Sequence, residues 1–206
     1  MPRPARFTRD DWAAAALALL AEGGPAAVAV EPAAARLGAS KSSFYWLFPN
    51  RQALLEAALL TWEQQQTDAV LPGLAAIADP AERLRRLARA AFAATQPADL
   101  ALRLLTEPAD PAIAAAAKRV TERRIAVIEA AFTELGQPAP QARHHANALY
   151  AAYLGTAALR RANAAPTDQN GYLTALLSAF GIPHKPAKRR RPDPAAAEIP
   201  RTGPGR

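Results

Sequence analysis

The stretch that decides the fold runs Leu37-Gly38-Ala39-Ser40-Lys41-Ser42-Ser43-Phe44-Tyr45-Trp46-Leu47-Phe48. A short helix is predicted to end at Leu37, a glycine turn follows, and Ser40 is placed to cap a second helix. Two short helices joined by a tight turn are typical of a helix-turn-helix unit. Because the second helix of such a unit enters the major groove, this stretch predicts a contact with DNA.

The side chains of this second helix divide into a buried pair and an exposed set. Phe44 and Phe48 lie four residues apart, which predicts that they anchor the helix onto the core. Aromatic residues usually pack inside, but three short helices cannot bury four large rings this close together on every side. We therefore expect Tyr45 and Trp46 to face DNA, where a phenol donates to phosphate and an indole contacts a thymine methyl or a sugar.

From about Phe7 to Leu60 the chain resembles the DNA-binding domain of the TetR/AcrR family of bacterial transcription factors. The densest part of the match reads Gly-x-Ser-Lys-x-Ser-x-Tyr-x-x-Phe from Gly38, followed by Asn-Arg-x-x-Leu-Leu from Asn50. The resemblance implies an all-α fold, with an N-terminal three-helix helix-turn-helix DNA-binding domain and a C-terminal helical domain for ligand binding and dimerisation. The chain departs from the family at Pro32, where a charged residue is usual.

The resemblance also implies which residues contact DNA. At the matching positions, Lys41 and Arg51 are expected to meet phosphates, and Ser42 and Trp46 to read bases. The whole expected DNA-binding set is Lys41, Ser42, Ser43, Tyr45, Trp46 and Arg51.

Charge supports DNA binding locally rather than globally. The net charge is +7, but residues 183–206 alone hold seven basic and two acidic side chains, a net of +5. No acidic residue lies between Glu31 and Glu56, whereas Arg36, Lys41 and Arg51 all fall in that window. A surface that approaches phosphate favours such a window, although a chance gap in an alanine-rich chain is the alternative.

Composition excludes several functions. The chain has no cysteine, so it can form no disulfide, no thiolate zinc site and no cysteine nucleophile. We find no motif for a nucleotide, a metal or a catalytic set, and therefore predict no cofactor, no metal and no enzymatic activity. Apolar runs stop well short of a bilayer span, and no secretory signal is recognisable, so a cytoplasmic location is expected.

Proline and glycine residues mark the predicted helix boundaries and thereby the domain organisation. Residues 1–50 form the DNA-binding head, and residues 51–182 form the effector-binding and dimerisation domain. Helices are expected at 51 to about 70, 80–95, 111–135, 140–161 and 169–180, with a short helix or turn at 100–105. Arginines on the helix 80–95 are expected to form a solvated face. The basic tail, 183–206, has too little apolar surface to fold and should be disordered.

The last helices are predicted to serve two roles. Helix 140–161 is apolar around most of its circumference, and the resemblance implies that it pairs, with helix 169–180, against a second subunit; the central helix of a monomer is the alternative. The family's effector pocket lies inside this domain, between the first long helix and the dimer helices. Candidate pocket residues are Trp62, Gln66, Phe92, Arg103, Asn147 and Tyr150. The alternative is that Trp62, Phe92 and Tyr150 simply belong to the core.

These observations favour a ligand-responsive transcriptional repressor. It would bind a palindromic double-stranded DNA operator as a homodimer and leave it when a small-molecule effector binds. The competing interpretations are an architectural DNA-binding protein that uses its basic tail without an effector, and a helical enzyme or carrier that uses a cavity of the second domain.

Overall fold

The computed structural model describes residues 7–65, 73–74, 76–93, 95–106 and 110–182. The predicted pocket residue Gln66 and the basic tail 183–206 lie outside the described residues. Within them the chain is all-α, as predicted, and helix 95–106 is longer than expected. Among the described residues, the helices with both ends defined are α1 Arg9–Gly23, α2 Val30–Leu37, α3 Lys41–Leu47, α4 Arg51–Glu63, α5 Pro80–Ala93, α6 Thr95–Thr106, α7 Pro111–Glu134, α8 Ala139–Arg161 and α9 Gln169–Ala179.

Short-range hydrogen bonds set the ends of the head helices. Thr8 and Asp11 form a reciprocal capping box at the start of α1, as their spacing predicts. Gly38 adopts the left-handed conformation with φ of 64° and ends α2. Ser40 then accepts a hydrogen bond from the backbone N–H of Ser43 and caps α3. Ala29, at the start of α2, provides no side-chain cap, as expected from its methyl group.

Aromatic packing fixes α3 on the head. Phe44 and Phe48 are buried, and their rings stack with centroids 5.4 Å apart. The Trp12 ring of α1 lies 5.4 Å from Phe44. Arg9 of α1 contacts the C-terminal end of α3. Its Nη1 donates to the Leu47 carbonyl at 3.1 Å, and its guanidinium lies 4.5 Å from the centre of the Phe48 ring. The predicted anchoring role of Phe44 and Phe48 is confirmed.

Two apolar clusters hold the rest of the described chain together. The first begins in the head, continues through α4 and ends between α6 and α7. The second lies among α5, α7, α8 and α9, and Leu154 of α8 packs against both clusters. Packing is therefore continuous across residue 50, and the division into a head and an effector domain stays a prediction about function.

The arginine face of α5 is only partly solvated. Arg86 and Arg89 are exposed, as predicted. The prediction is wrong for Arg83, whose side chain is 17% exposed and pairs with Glu134 at 2.7 Å. It is also wrong for Arg85, which is 7% exposed and donates from Nη1 to Glu82 at 3.1 Å. Its position one residue after the buried Leu84 places it at the edge of the apolar face. In the described part of the chain, no helix has the length and apolar character to cross a bilayer.

Candidate nucleic-acid interface and effector site

The recognition helix α3 presents two aromatic side chains to solvent. Tyr45 is 65% exposed and Trp46 is 86% exposed, the largest exposure among the large apolar residues described. The Tyr45 ring lies edge-on against the buried Phe44 ring, with the centroids 5.1 Å apart, so one side of the ring is packed while most of the residue is exposed. The outward orientation predicted for both residues is confirmed, and their contact with DNA stays a prediction.

The two serines of α3 differ in how much hydrogen-bonding capacity they keep. Ser43 donates from its hydroxyl to the Ser40 carbonyl at 2.6 Å and is half-buried. Ser42 is exposed, and its Oγ lies 2.9 Å from Ser40 Oγ. Because a hydroxyl can both donate and accept, Ser42 retains the means to read a base edge, whereas Ser43 chiefly supports the first turn.

Carboxylates reach the basic window from outside it. Lys41 Nζ lies 2.6 Å from Glu31 Oε1, and Arg36 grips both carboxylate oxygens of Glu22 at 2.8 and 2.9 Å. The hydrogen bond from each cation lowers the pKa of its carboxyl partner below the usual range. The segment between Glu31 and Glu56 therefore contains no acidic residue, but its cations Lys41 and Arg36 are paired with carboxylates from outside it. The sequence alone could not reveal these pairs.

Arg51 is engaged by the head itself. Its Nε donates to the Val28 carbonyl and its Nη2 to the Pro25 carbonyl, so α4 is tied to the 3-10 turn Pro25–Ala27. A phosphate would have to compete with these carbonyls for the guanidinium. The structure thus gives Arg51 a role in the head's architecture, and its predicted contact with phosphate stays a prediction.

A strip of small residues lies exposed along α8. Its members recur at intervals of three and four residues and include Gly155, where an added Cβ would meet nothing within 4 Å. Leu159 extends the strip and is also exposed. We call this surface the α8 strip, formed by Ala148, Ala151, Gly155, Ala158 and Leu159.

The predicted contribution of α9 to a dimer changes in detail. Leu173 and Leu177 lie four residues apart on α9, are each 6% exposed and pack inside the second cluster. The exposed face of α9 carries Gly171, Ala175 and Ala179 instead. The leucines therefore support the fold of one subunit, and a contact through α9 would use the small residues.

The structure brings together only part of the predicted effector set. Phe92 and Tyr150 lie in the second cluster, whereas Trp62 is buried in the first. Arg103 is half-buried on α6. The spacing of Asn147 and Tyr150, three residues apart, predicts a shared face of α8. That prediction is wrong, because Asn147 is exposed and donates to the Arg143 carbonyl at 2.8 Å. A three-residue step on a helix spans about 60°, enough here to cross from the interior to the surface.

Sequence reasoning missed the centre of the second cluster. Tyr153 is buried, with its ring 6.2 Å from Phe92 and 5.9 Å from Tyr150. The Arg124 guanidinium lies 5.9 Å from the centre of the Tyr153 ring. Burial raises the pKa of the Tyr153 phenol, while the positive charges of Arg124 and Arg160 act in the opposite sense. The 150, 153, 157 and 160 spacing on α8 was the signal available in the sequence.

In the head, α2, the left-handed turn at Gly38 and α3 have the geometry of a helix-turn-helix unit. Residues 13–58 match the family described as bacterial regulatory proteins, tetR family, and no curated protein matches the chain. The fold extends the likeness beyond the matched segment. The family match therefore covers the head, and the rest of the described chain resembles TetR-family structures in fold.

Solved structures share the fold over most of the chain. A TetR transcriptional regulator from Legionella pneumophila has a TM-score of 0.70 at 17% identity, over 88% of this chain and 98% of its own. A putative regulator from Saccharomonospora viridis in complex with choline has a TM-score of 0.66 at 21% identity, covering 84% and 93%. The regulator FadR from Bacillus subtilis in complex with stearoyl-CoA has a TM-score of 0.66 at 15% identity, covering 84% and 97%.

Proposed function

We propose that this protein represses transcription by binding a palindromic operator as a homodimer, and that a small-molecule effector releases it. The observation that carries the proposal is the outward projection of Tyr45 and Trp46 from a helix whose other face is locked by Phe44 and Phe48. A rigid helix with exposed rings and polar groups is suited to the major groove. The expected location is the cytoplasm.

The proposed DNA contacts follow from the exposure of each side chain. Trp46 and Ser42 read base edges, and the Tyr45 hydroxyl donates to a phosphate. Lys41 binds a phosphate after it breaks its ion pair with Glu31, because the DNA backbone has a higher density of negative charge than one carboxylate. Ser43 in the first turn of α3 and Arg51 at the start of α4 complete the proposed set, and each would give up part of its contact within the head to bind DNA.

The α8 strip supports the proposed dimer. Small side chains allow two helix backbones to approach closely, and the exposed small residues of α9 supply a second matching surface. A two-fold arrangement of α8 and α9 would present two recognition helices to successive major grooves, about 34–36 Å apart.

An effector within the second domain would supply the switch. The choline complex from Saccharomonospora viridis and the stearoyl-CoA complex of Bacillus subtilis FadR are examples of this fold that hold small molecules. We propose the same for this chain, in the cluster around Phe92, Tyr150 and Tyr153. Release requires that the effector bind the DNA-free conformation more tightly, because equal affinity for both conformations shifts nothing.

Selection of DNA fragments by the purified protein, followed by footprinting, tests this function. The expected result is a discrete palindromic site that Trp46→Ala binds more weakly. Leu60→Ala is the matched control, because Leu60 is also a large exposed apolar residue but lies on α4. Uniform protection of DNA without a preferred site would contradict the proposal and favour the architectural alternative.

A further inference from the structure

The last turn of α8 carries a buried positively charged side chain, Arg160. All three guanidinium nitrogens of Arg160 are removed from solvent, and none has a hydrogen-bond partner in the described part of the chain. An arginine cannot shed its charge at any ordinary pH. A buried charge without a partner destabilises the folded protein. An arginine at position 160 therefore indicates a role other than stabilising the fold.

The neighbouring Arg161, unlike Arg160, has hydrogen-bonding and ionic partners. Arg161 donates from Nη2 to the Asp99 carbonyl at 2.8 Å, and its Nε lies 3.6 Å from the Asp99 carboxylate. Asp99 of α6 therefore accepts from the exposed Arg161 through its backbone carbonyl, while its Oδ1 is itself buried without a hydrogen bond in the described part of the chain. Arg160 points to the other side of α8, toward the interior.

The interior near Arg160 is aromatic. Tyr153 lies two turns earlier on the same face of α8, with the fully buried Ala157 between them. The rings of Tyr153 and Tyr172 each lie 6.2 Å from the Phe92 ring. A flat or flexible apolar group would find extensive contact there, next to a cation whose planar fork matches a carboxylate or a phosphate.

We propose that Arg160 binds the acidic headgroup of an amphipathic effector, a carboxylate or a phosphate, whose apolar body packs against Phe92, Tyr153 and Tyr172. This inference rests on the proposed effector switch and names the chemical class of its ligand. The anion neutralises the buried guanidinium, so binding removes a cost that the ligand-free protein carries. The positive charge of Arg160 then selects ligands with an acidic headgroup. The aromatic rings accept apolar bodies of different shapes, because their contacts are not directional.

Four probes with the same apolar body test the headgroup: octanoate, octyl phosphate, 1-octanol and octylammonium. Their binding to the full-length protein is measured by calorimetry and by the shift in melting temperature. We expect one or both anions to bind about tenfold or more tightly than the alcohol, as for a hydrogen bond to a charged group, and octylammonium to bind least. A preference between the anions identifies the headgroup as carboxylate or phosphate. Equal binding of all four probes would overturn the proposal.

Variants of Arg160 separate binding from architecture. Arg160→Met removes the charge and keeps the length, so it should abolish the preference for anions while leaving the melting temperature of the ligand-free protein equal or higher. A lower melting temperature with unchanged octanoate binding would instead assign Arg160 a structural role and overturn the proposal. Arg161→Met is the matched control and should retain anion binding. Should Arg160→Met fail to fold, Arg160→Lys is expected to weaken octanoate binding without reversing the preference for it over octanol.

Operator affinity, measured with and without the tightest-binding anion, separates this inference from the function on which it rests. Reduced affinity in the wild type and unchanged affinity in Arg160→Met support the inference. Anion binding through Arg160 with no change in operator affinity overturns the effector role, while DNA binding stands. Failure of the probe-free protein to select a DNA site overturns the proposed function, whatever the anions do.

Discussion

Glu63, at the end of α4, forms a bidentate ion pair with Arg119 in the middle of α7. Arg119 Nη2 lies 2.9 Å from Glu63 Oε2, and its Nε lies 3.2 Å from both carboxylate oxygens. Arg123 lies at 4.0 Å from the same carboxylate. Nearer the head, Gln52 of α4 donates to Asp110, the N-cap of α7, at 3.4 Å. The helix that follows the recognition helix is therefore joined to the body near both of its ends, so a shift of α7 has a route to the head.

Arg119→Ala is expected to lower the free energy of unfolding by about 1–3 kcal/mol, because it leaves the buried Glu63 carboxylate with a weaker partner. Urea denaturation measures the change. Lys118→Ala is the control, since Lys118 is exposed and lies 3.9 Å from the exposed Glu122, an arrangement worth about 0.5 kcal/mol or less. Equal losses in the two variants would contradict a specific role for the Glu63–Arg119 pair.

Trp46→Ala and Tyr45→Phe are expected to weaken operator binding, Tyr45→Phe by about 1–3 kcal/mol if the hydroxyl contacts a charged phosphate. Neither should change the unfolding transition much, because both side chains lie outside the core. Phe44→Ala should instead destabilise the chain by about 3–5 kcal/mol. Gel-shift titration alongside thermal unfolding separates the two effects, and unchanged operator affinity in both surface variants would contradict the assignment.

Glu31→Gln is expected to raise operator affinity and to steepen its dependence on salt. The substitution frees Lys41 from its partner at 2.6 Å and removes a negative charge beside the recognition helix. The salt slope of binding is the measurement. Glu134→Gln breaks a comparable ion pair with Arg83 at 2.7 Å, far along the chain from α3, and should leave DNA binding unchanged. An unaltered or weaker affinity in Glu31→Gln would speak against Lys41 as a phosphate contact.

Ala151→Glu in the α8 strip is expected to convert the proposed dimer into a folded monomer, because it places a charge where two helices meet. Sedimentation measures the association state, and circular dichroism checks the fold. Ala115→Glu, at an exposed position of α7, should leave the dimer intact. Leu173→Glu is unsuitable for this test, since it would bury a charge within one subunit. A persistent dimer in Ala151→Glu would place the interface elsewhere.

Removal of residues 184–206 is expected to flatten the dependence of DNA affinity on salt. The tail carries clustered cations that can neutralise phosphates without reading sequence. Operator specificity should persist, because the recognition helix is unchanged. An identical salt slope in the shortened chain would favour a tail that only aids solubility.

By itself the sequence determined the head of this protein, because its signals act over a few residues. The bonds of Thr8 to Asp11 and of Ser40 to Ser43 each span three positions, and the left-handed turn at Gly38 needs only the absence of a side chain. The four-residue spacing of Phe44 and Phe48 likewise fixed which face of α3 is buried. These features depend only on residues close together in the sequence and not on contacts with distant segments.

Only the tertiary structure decided how charges and apolar faces are shared between helices. The partners of Lys41 and Arg36 lie 10 and 14 residues away, and Arg51 bonds carbonyls 23 and 26 positions earlier in the chain. The burial of Leu173 and the isolation of the Arg160 guanidinium depend on which neighbouring helix covers each side chain. Helical periodicity gives a side chain its direction along one axis, but the crossing of two helices determines what that direction meets.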